Sequence, residues 1–251
     1  MERTSAELKR LAREKLTGHW GLAIGATLLM SLIATAVLIP FYVLFLFSGG
    51  GTVQFIAYML AVLFVHVIVM IMQCGITRML LGFARNQDSE LGMLFGEFTR
   101  RPDRYILATL MIFGIDLLCV LPGSICWSVG ILQGSVLANI IGFVLYLAGT
   151  VILIPIVLRF NLTFFLLVDN TRMGALEALR ESSRLMDGNK GRMFYLYLTF
   201  IGWSLLGMCS CGLGMLWITP YMNQTMINFY LDVTGELDRM EKSESGAEFF
   251  E

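Results

Sequence analysis

The sequence predicts an all-α integral membrane protein with six transmembrane helices arranged as three hairpins, each preceded by a cytoplasmic amphipathic helix at the membrane interface. Composition carries the membrane assignment, because 57% of the 251 residues are hydrophobic and only 15% are charged, whereas soluble domains have roughly 45–50% and about 25%. The apolar residues also cluster in runs of the roughly 20 residues that cross a bilayer. The placement of the charges sets the orientation.

Six apolar runs are long enough to be candidate spans. They cover residues 20–47, 53–82, 104–122, 137–168, 193–209 and 212–232. The first run is too long for a signal-peptide core and no convincing cleavage site follows it, so we expect it to be retained as a membrane span. The second and fourth runs are longer than a span needs, and they would tilt or protrude.

The charged residues, except Asp116, lie on one side of this arrangement. All eighteen Lys and Arg residues fall in the N-terminal segment, in 78–104, in 159–192 or in the C-terminal tail. The other connections, 48–52, 122–135 and 208–214, contain no charge. The positive-inside rule then places both termini in the cytoplasm, which predicts a multi-pass protein of the bacterial plasma membrane.

Similar junctions precede three of the spans. "EKLTGHWG" and "LMDGNKG" each follow a short charged amphipathic segment, and Gly18 and Gly188 suit a left-handed helix end. The middle junction has Pro102 in place of the glycine, and Thr4 and Glu7 have the spacing of a capping box. The apolar stripes consist of Ala6, Leu8, Leu11, Ala12 and Leu16; of Leu91, Leu94, Phe95 and Phe98; and of Ala175, Leu176, Leu179 and Met186.

These junctions predict one membrane domain over residues 1–236, built from pseudo-repeats at about 4–82, 88–168 and 173–235, and an acidic, solvated cytoplasmic tail over 237–251. The alternative is that any multi-span protein has amphipathic cytoplasmic loops. The amphipathic helices either orient the hairpins or bind anionic lipid headgroups.

Two ionisable residues lie deep in predicted spans. Asp116 in the third span is either an ion-coupling acid or a hydrogen-bonded structural group, since an unpaired carboxylate there is unfavourable. His66 in the second span is either an anchor or a ligand, and the two residues could form a pair. In the sixth span, Tyr221, Asn223, Gln224 and Asn228 follow Pro220, where the helix is expected to break or kink. These polar groups form either a substrate-lining wall or interhelical contacts.

Arg78 and Arg159 each interrupt a long span near its cytoplasmic end. Each either contacts a lipid headgroup or phosphate, or extends its guanidinium to the interface as structural arginines do.

The sequence lacks the motifs of the common enzyme classes. It contains no P-loop, no HExxH, no G-x-S-x-G and no His or carboxylate cluster with metal-ligand spacing. We therefore expect no cofactor and no enzymatic activity, and the net charge of −1 gives no indication of nucleic-acid binding. The expected function is a scaffold or partner subunit in the envelope, with membrane lipids and another membrane protein as partners. The alternatives are a carrier or binder of a lipid or small hydrophobic molecule and, more weakly, a lipid-headgroup enzyme.

Two blocks of the sequence resemble one family. "SAELKRLAREKLTGHWGLAIGATLL" and "IGWSLLGMCSCGLGMLWITPYMNQTMINFYLDV" are similar to the ends of DUF975 proteins, integral membrane proteins common in Firmicutes. That family is in turn distantly similar to the membrane domains of some glycerophosphodiester phosphodiesterases. The resemblance implies a polytopic membrane fold in lipid-related surroundings, and it implies no activity. The matching positions are Gly18, Trp20, Ile201, Gly202, Trp203, Gly212, Gly214, Leu216, Trp217, Pro220, Tyr221, Phe229 and Tyr230.

Overall fold

The computed structural model describes residues 3–47, 51–210 and 212–248, and the regular structure in these ranges is entirely helical. Residues 48–50 and 211 of two uncharged connections, and 249–251 of the predicted tail, lie outside the described residues. The helices are α1 Ser5–Leu16, α2 Trp20–Phe47, α3 Thr52–Ala84, α4 Met93–Gly96, α5 Asp103–Leu132, α6 Val136–Phe160, α7 Thr163–Asp169, α8 Ala175–Leu185, α9 Lys190–Cys209, α10 Met215–Val233 and α11 Glu236–Glu248.

Four stretches of the described residues are long and apolar enough to cross a membrane. They are Trp20–Phe47, Thr52–Ala84, Asp103–Leu132 and Val136–Asp169, and they are consistent with a membrane protein. The fifth and sixth predicted spans form helices α9 and α10, but neither is among these four. The six-span arrangement with three hairpins therefore stays a prediction.

The chain divides into two compact units. The first unit contains residues 1–102, 168–171 and 195–251, and the second contains 103–167 and 172–194. In the first unit, α2 and α3 pack as an antiparallel pair, with ring contacts of Phe45 to Phe55 at 6.0 Å and of Tyr42 to Tyr58 at 6.0 Å.

The core of the first unit lies at one end of this helix pair. Ala23 and Ala26 near the start of α2 are buried, as is nearly all of the last third of α3. The opposite end is exposed, and Phe47 retains 86% of its accessible surface. Apolar side chains that face away from the protein are expected on helices that contact lipid.

Helices α1 and α10 pack against each other in an antiparallel arrangement. Arg3 near the start of α1 donates to Asp232 at 2.8 Å, and the Asn228 amide donates to the Leu8 carbonyl at 3.1 Å. Leu8, Ala12 and Leu16 form the buried face of α1, at the i, i+4, i+8 spacing of one helical side. The capping box predicted for Thr4 and Glu7 is confirmed, and it satisfies backbone donors at the start of α1.

The second unit is built on the antiparallel pair of α5 and α6. The connection predicted at 122–135 was wrong. Helix α5 continues through Pro122 to Leu132, and the turn is limited to 133–135. Proline is tolerated in apolar helices because neighbouring groups satisfy the freed carbonyls. The fourth predicted span is interrupted, since α6 ends at Phe160 and α7 begins at Thr163.

Four glycines hold α5 and α6 in close contact. Gly123 and Gly130 of α5 lie against Tyr146 and Asn139 of α6, and Gly142 and Gly149 of α6 lie against Trp127 and Cys119 of α5. A Cβ atom on any of these glycines would lie 2.2–2.6 Å from the partner helix, and backbone atoms of that helix lie within 3 Å of it at each site. The glycines are spaced by seven residues on each helix, so they lie on one face of each. Small residues allow helix backbones to approach in this way inside membranes.

The junctions before α2 and α9 have the predicted glycine conformation. Gly18 and Gly188 have φ angles of 88° and 84°, which lie in the left-handed region. At the middle junction Arg101 takes this conformation instead, with φ of 58°, directly before Pro102. The amphipathic helix expected here is reduced to the four residues of α4, so the threefold repeat stays a prediction.

The first part of the acidic tail is the helix α11, and a solvated tail stays a prediction. Leu237 is buried, and Arg3 pairs with Asp238 at 2.8 Å and with Glu241 at 2.9 Å. An N-terminal arginine thus neutralises acidic residues almost 240 positions away, which the local pattern of the tail could not indicate.

Candidate functional site

The candidate site lies in the second unit, where α8 packs against α5 and α6. Ser182 fixes α8 to the end of α6, because its buried hydroxyl donates to the Arg159 carbonyl at 3.0 Å and accepts from the Leu162 amide at 3.2 Å. These bonds satisfy backbone groups that are left without partners where α6 ends. Gly174 is the N-cap of helix α8, and its amide donates to the Glu177 carboxylate at 3.4 Å.

A groove of about 620 Å³ runs between these three helices. This volume lies within the roughly 300–1,000 Å³ of ligand pockets. The side chains that line most of it are apolar: Met111, Ile115 and Leu118 of α5, Phe160 of α6, and Leu176 and Leu179 of α8. Gly114 lines the groove too, and a Cβ atom there would meet nothing within 4 Å.

Two arginines and a serine make one part of the groove polar. Arg159 and Arg180 line it together with Ser183, whose hydroxyl accepts a hydrogen bond from Nε of Arg159. Both arginines are exposed, and among the described residues neither has a carboxylate within ion-pair distance. The groove therefore combines an apolar wall with two cations that have no acidic partner.

Arg184, one turn after Arg180 on α8, is different. It forms a two-point ion pair with Glu181, at 2.5 and 2.9 Å. These hydrogen bonds lower the pKa of Glu181, and burial opposes them only in part. Arg184 is thus neutralised within the protein, whereas Arg159 and Arg180 are not.

The predicted polar site is divided between the two units. Asp116 lies on α5 in the second unit, half-buried, and its Oδ1 atom is buried without a hydrogen-bond partner among the described residues. His66 belongs to the first unit and is exposed on α3. A pairing of Asp116 with His66 stays a prediction.

The polar residues predicted on the sixth span lie on α10, which continues through Pro220. Gln224 and Asn228 are fully buried, whereas Tyr221 and Asn223 are half-buried. Asn228 reaches the α1 backbone, and both amide atoms of Gln224 lack a hydrogen-bond partner in the described part of the chain.

Of the two predicted headgroup contacts, only Arg159 lines the groove. Arg78 is directed into the first unit, where it pairs with the buried Glu97 and donates to the Val168 carbonyl at 2.7 Å. A headgroup role for Arg78 stays a prediction, but its guanidinium already has these internal partners. Arg180 and Ser183 are site residues that sequence reasoning missed, since α8 reads as an ordinary charged amphipathic helix.

A second polar cluster, also missed, joins residues of the first unit from four helices, α3, α7, α10 and α11. Arg85, at the end of α3, donates to Asp169 at 2.7 and 2.9 Å and to Glu236 at 2.7 and 2.9 Å. Tyr230 donates to Asp169 at 2.8 Å. The pKa of Arg85 is raised above its ordinary value, first by the hydrogen bond of Arg85 to Glu236 and then by its hydrogen bond to Asp169. Burial of Arg85 opposes this effect. Every charge here has a partner, which is typical of a structural cluster.

No group of three or more His, Cys, Asp or Glu residues in the described ranges has an arrangement that could hold a metal ion. No curated protein and no solved structure matches the chain. The family model of DUF975, described as "Protein of unknown function", matches residues 1–236. Since this match covers nearly the whole sequence and confirms the resemblance of the two terminal blocks, the protein belongs to the DUF975 family.

Proposed function

We propose that this membrane protein binds an anionic phospholipid in the groove between α5, α6 and α8. The observation that carries the proposal is the pair of arginines, Arg159 and Arg180, at the polar part of an otherwise apolar groove. A phosphate group would supply the negative charge that the described residues do not supply. Arginine suits this role because its planar guanidinium binds phosphate oxygens in a two-point geometry.

The apolar wall suits the acyl chain of the same molecule. Met111, Ile115 and Leu118 follow one face of α5 away from the arginines. The groove is too small for a whole phospholipid, so the lipid would place its headgroup and the first part of a chain in it. The rest of the chain would lie along the exposed apolar surface of α5, as it does in the bilayer.

The level of the groove in the bilayer also favours a lipid. Arg159 is the penultimate residue of α6, at the end that the charge distribution assigns to the cytoplasmic side. Anionic lipids give the cytoplasmic leaflet its negative surface potential. The headgroup region of that leaflet is therefore at the level of the arginines.

The test compares lipid binding by the purified full-length protein and by an R159Q/R180Q variant. Native mass spectrometry with phosphatidylglycerol and phosphatidylcholine would report the bound fraction of each lipid. We expect the wild type to prefer phosphatidylglycerol and the variant to bind it at least tenfold more weakly, because a hydrogen bond to a charged group contributes about 1.5–3 kcal/mol and about 1.4 kcal/mol is a factor of ten.

Arg184→Gln is the matched control. It removes one positive charge from the same helix, but a charge that Glu181 already neutralises. It should leave phosphatidylglycerol binding within about twofold of the wild type, since its cation has no part in the proposed site. Equal losses in the control and in the R159Q/R180Q variant would indicate non-specific attraction and contradict the proposal.

The scaffold or partner-subunit function expected from the sequence is the main alternative. It rests on missing enzyme motifs, and no contact among the described residues favours it. Unchanged lipid binding by R159Q/R180Q, together with a protein that co-purifies at fixed stoichiometry, would favour the scaffold over the lipid site.

A further inference from the structure

The position of α10 does not fit a sixth membrane span. Helix α1 lies antiparallel to it, from the contact of Arg3 with Asp232 to a cavity lined by Arg13, Ile218 and Tyr221. An α10 that crossed the bilayer would take α1 into it.

Helix α1 is too highly charged for that location. It carries Lys9, Arg10, Arg13, Glu14 and Lys15, and Arg10 and Glu14 keep 71% and 59% of their side-chain surface exposed. Charged side chains within the hydrocarbon are rare and unfavourable unless they face a protein interior or a water-filled cavity. Helices α1 and α10 therefore lie together at the membrane surface.

Three tryptophans indicate how deep this region lies in the membrane. Trp20, Trp203 and Trp217 line one cavity of about 170 Å³ together with Arg13 and Tyr221. Trp20 is the first residue of α2, where the chain enters the membrane from the charged side. In a six-span protein, Trp217 would follow an exterior connection and lie about 30 Å from Trp20, on the other side of the hydrocarbon. Residues that share a cavity of this size cannot be so far apart.

We propose that the end of α9 and the start of α10 form a re-entrant hairpin, which enters the membrane leaflet beside α1 and returns to the same face. The segment from Trp203 to Cys209 rises about 9 Å, the depth at which interfacial helices insert. Its partner is one leaflet of the bilayer. The exposed side chains that would contact lipid are Ile201, Leu205, Leu206, Met208 and Leu213.

The described part of the turn satisfies its own polar groups, as a loop in apolar surroundings must. Ser210 accepts from the Gly214 amide at 2.8 Å and donates to the Gly207 carbonyl at 2.7 Å. The Gly212 amide also donates to the Gly207 carbonyl, at 3.2 Å. A Cβ atom on Gly214 would lie 2.9 Å from the Gly207 Cα atom, so α9 and α10 are close at the turn.

The other side of the hairpin is anchored to α1. Lys9 donates to the Thr199 carbonyl at 3.3 Å, and its ammonium group lies 4.2 Å from the centre of the Phe200 ring. Thr199 and Phe200 of α9 are thus level with α1, and the segment after them extends further. The connection 208–214 would then lie within the leaflet, which explains why it is uncharged although it does not lie on the exterior.

The test is cysteine labelling of the full-length protein in its membrane. In one variant Cys209, which is exposed, is the sole cysteine. In the control, Cys209→Ser is combined with Val53→Cys, at the far end of the α2–α3 pair, where Val53 is 76% exposed. Each is treated with a membrane-impermeant maleimide in intact cells and in inverted vesicles.

We expect Cys209 to be protected at least tenfold from the face that labels Val53→Cys. It should react from the opposite face, or only after detergent is added. Labelling of both positions from the same face would overturn the proposal and restore a sixth span. The comparison is between two positions of one protein, so it does not depend on which face is cytoplasmic.

A second measurement tests the cavity directly. A short bismaleimide should cross-link Arg13→Cys to Trp217→Cys in the membrane, whereas Arg13→Cys and Val53→Cys should not cross-link. If Arg13→Cys and Trp217→Cys each react with a simple maleimide yet form no cross-link, the re-entrant hairpin is excluded. Neither measurement depends on lipid binding by Arg159 and Arg180.

Discussion

Two buried side-chain amides on α10, one turn apart, differ in their hydrogen bonding. Asn228 donates to the Leu8 carbonyl at 3.1 Å and so ties α10 to α1. Gln224 is 0% exposed, and in the described part of the chain both its Nε2 and its Oε1 atoms lack a partner. A buried polar group without a hydrogen bond costs about 1–3 kcal/mol, whereas a satisfied one contributes modestly to stability.

Replacing these residues should therefore change stability in opposite directions. We expect Gln224→Met to raise the free energy of unfolding by about 1–3 kcal/mol, because the new side chain has a similar shape and nothing to satisfy. Asn228→Leu should lower it by about 0.5–1.5 kcal/mol through loss of the bond to α1. Denaturant unfolding in detergent measures both. A destabilised Gln224→Met variant would contradict this account and indicate a partner for Gln224.

The sequence identifies these residues and offers interhelical contacts as one of their roles, but it does not identify their partners. Tyr221, Asn223, Gln224 and Asn228 stand out because polar side chains are rare in apolar runs. The partner of Asn228 is a backbone carbonyl 220 positions away, and a carbonyl is common to every residue. Only the packing of α10 on α1 selects Leu8, so no local pattern could have identified it.

At the level of helices, the tightest described contact is the glycine interface of α5 and α6. Gly142 illustrates it, since a Cβ atom there would lie 2.3 Å from the Trp127 backbone nitrogen. A backbone atom cannot move aside as a flexible side chain can. The two helices would have to separate along their length to admit even one methyl group.

Gly142→Ala should therefore lower the free energy of unfolding by about 1–3 kcal/mol, as overpacking does. Gly114→Ala is the matched control, because a Cβ atom at Gly114 would meet nothing within 4 Å. The control should be neutral or more stable by about 0.5–1 kcal/mol, since alanine is the better helix former. Thermal unfolding of the two variants in the same detergent distinguishes these outcomes, and equal stability would exclude close packing at Gly142.

Helix ends were more predictable than helix contacts. Gly18 and Gly188 end amphipathic segments, and the left-handed conformation follows from their local sequence alone. The spacing of Gly123, Gly130, Gly142 and Gly149 is also visible, but the facing register requires knowing that α5 extends to Leu132. The apolar run predicted a helix that ends near Pro122, so Gly123 and Gly130 fell outside it and the interface was not predicted.

For the whole molecule, composition is sufficient to predict membrane helices but not to count them. The runs that form α9 and α10 resemble spans, yet the described stretches that are long and apolar enough to cross a membrane are four others. What composition does not reveal is the contact of α10 with α1, which brings charged residues alongside an apolar run. The groove depends on packing as well, because Arg180 and Arg159 are 21 residues apart and meet only through α8.

The orientation predicted from charge does not depend on the number of spans being six. Four spans also leave both termini on one face, because either number is even. The connections 85–102 and 170–192, which contain Lys and Arg residues, then remain on that face, and the turns after α2 and α5 lie on the other.

This orientation predicts the labelling of single cysteines at exposed positions. Val53→Cys and Gln133→Cys should react with an impermeant maleimide in intact cells, whereas Asp88→Cys and Asp187→Cys should react only in inverted vesicles. Each pair combines one position in or directly after α3 with one from later in the chain, so agreement within each pair tests both helix pairs at once. Reaction of Asp88→Cys in intact cells would contradict the cytoplasmic assignment of the charged connections, and with it the placement of Arg159 at the anionic leaflet.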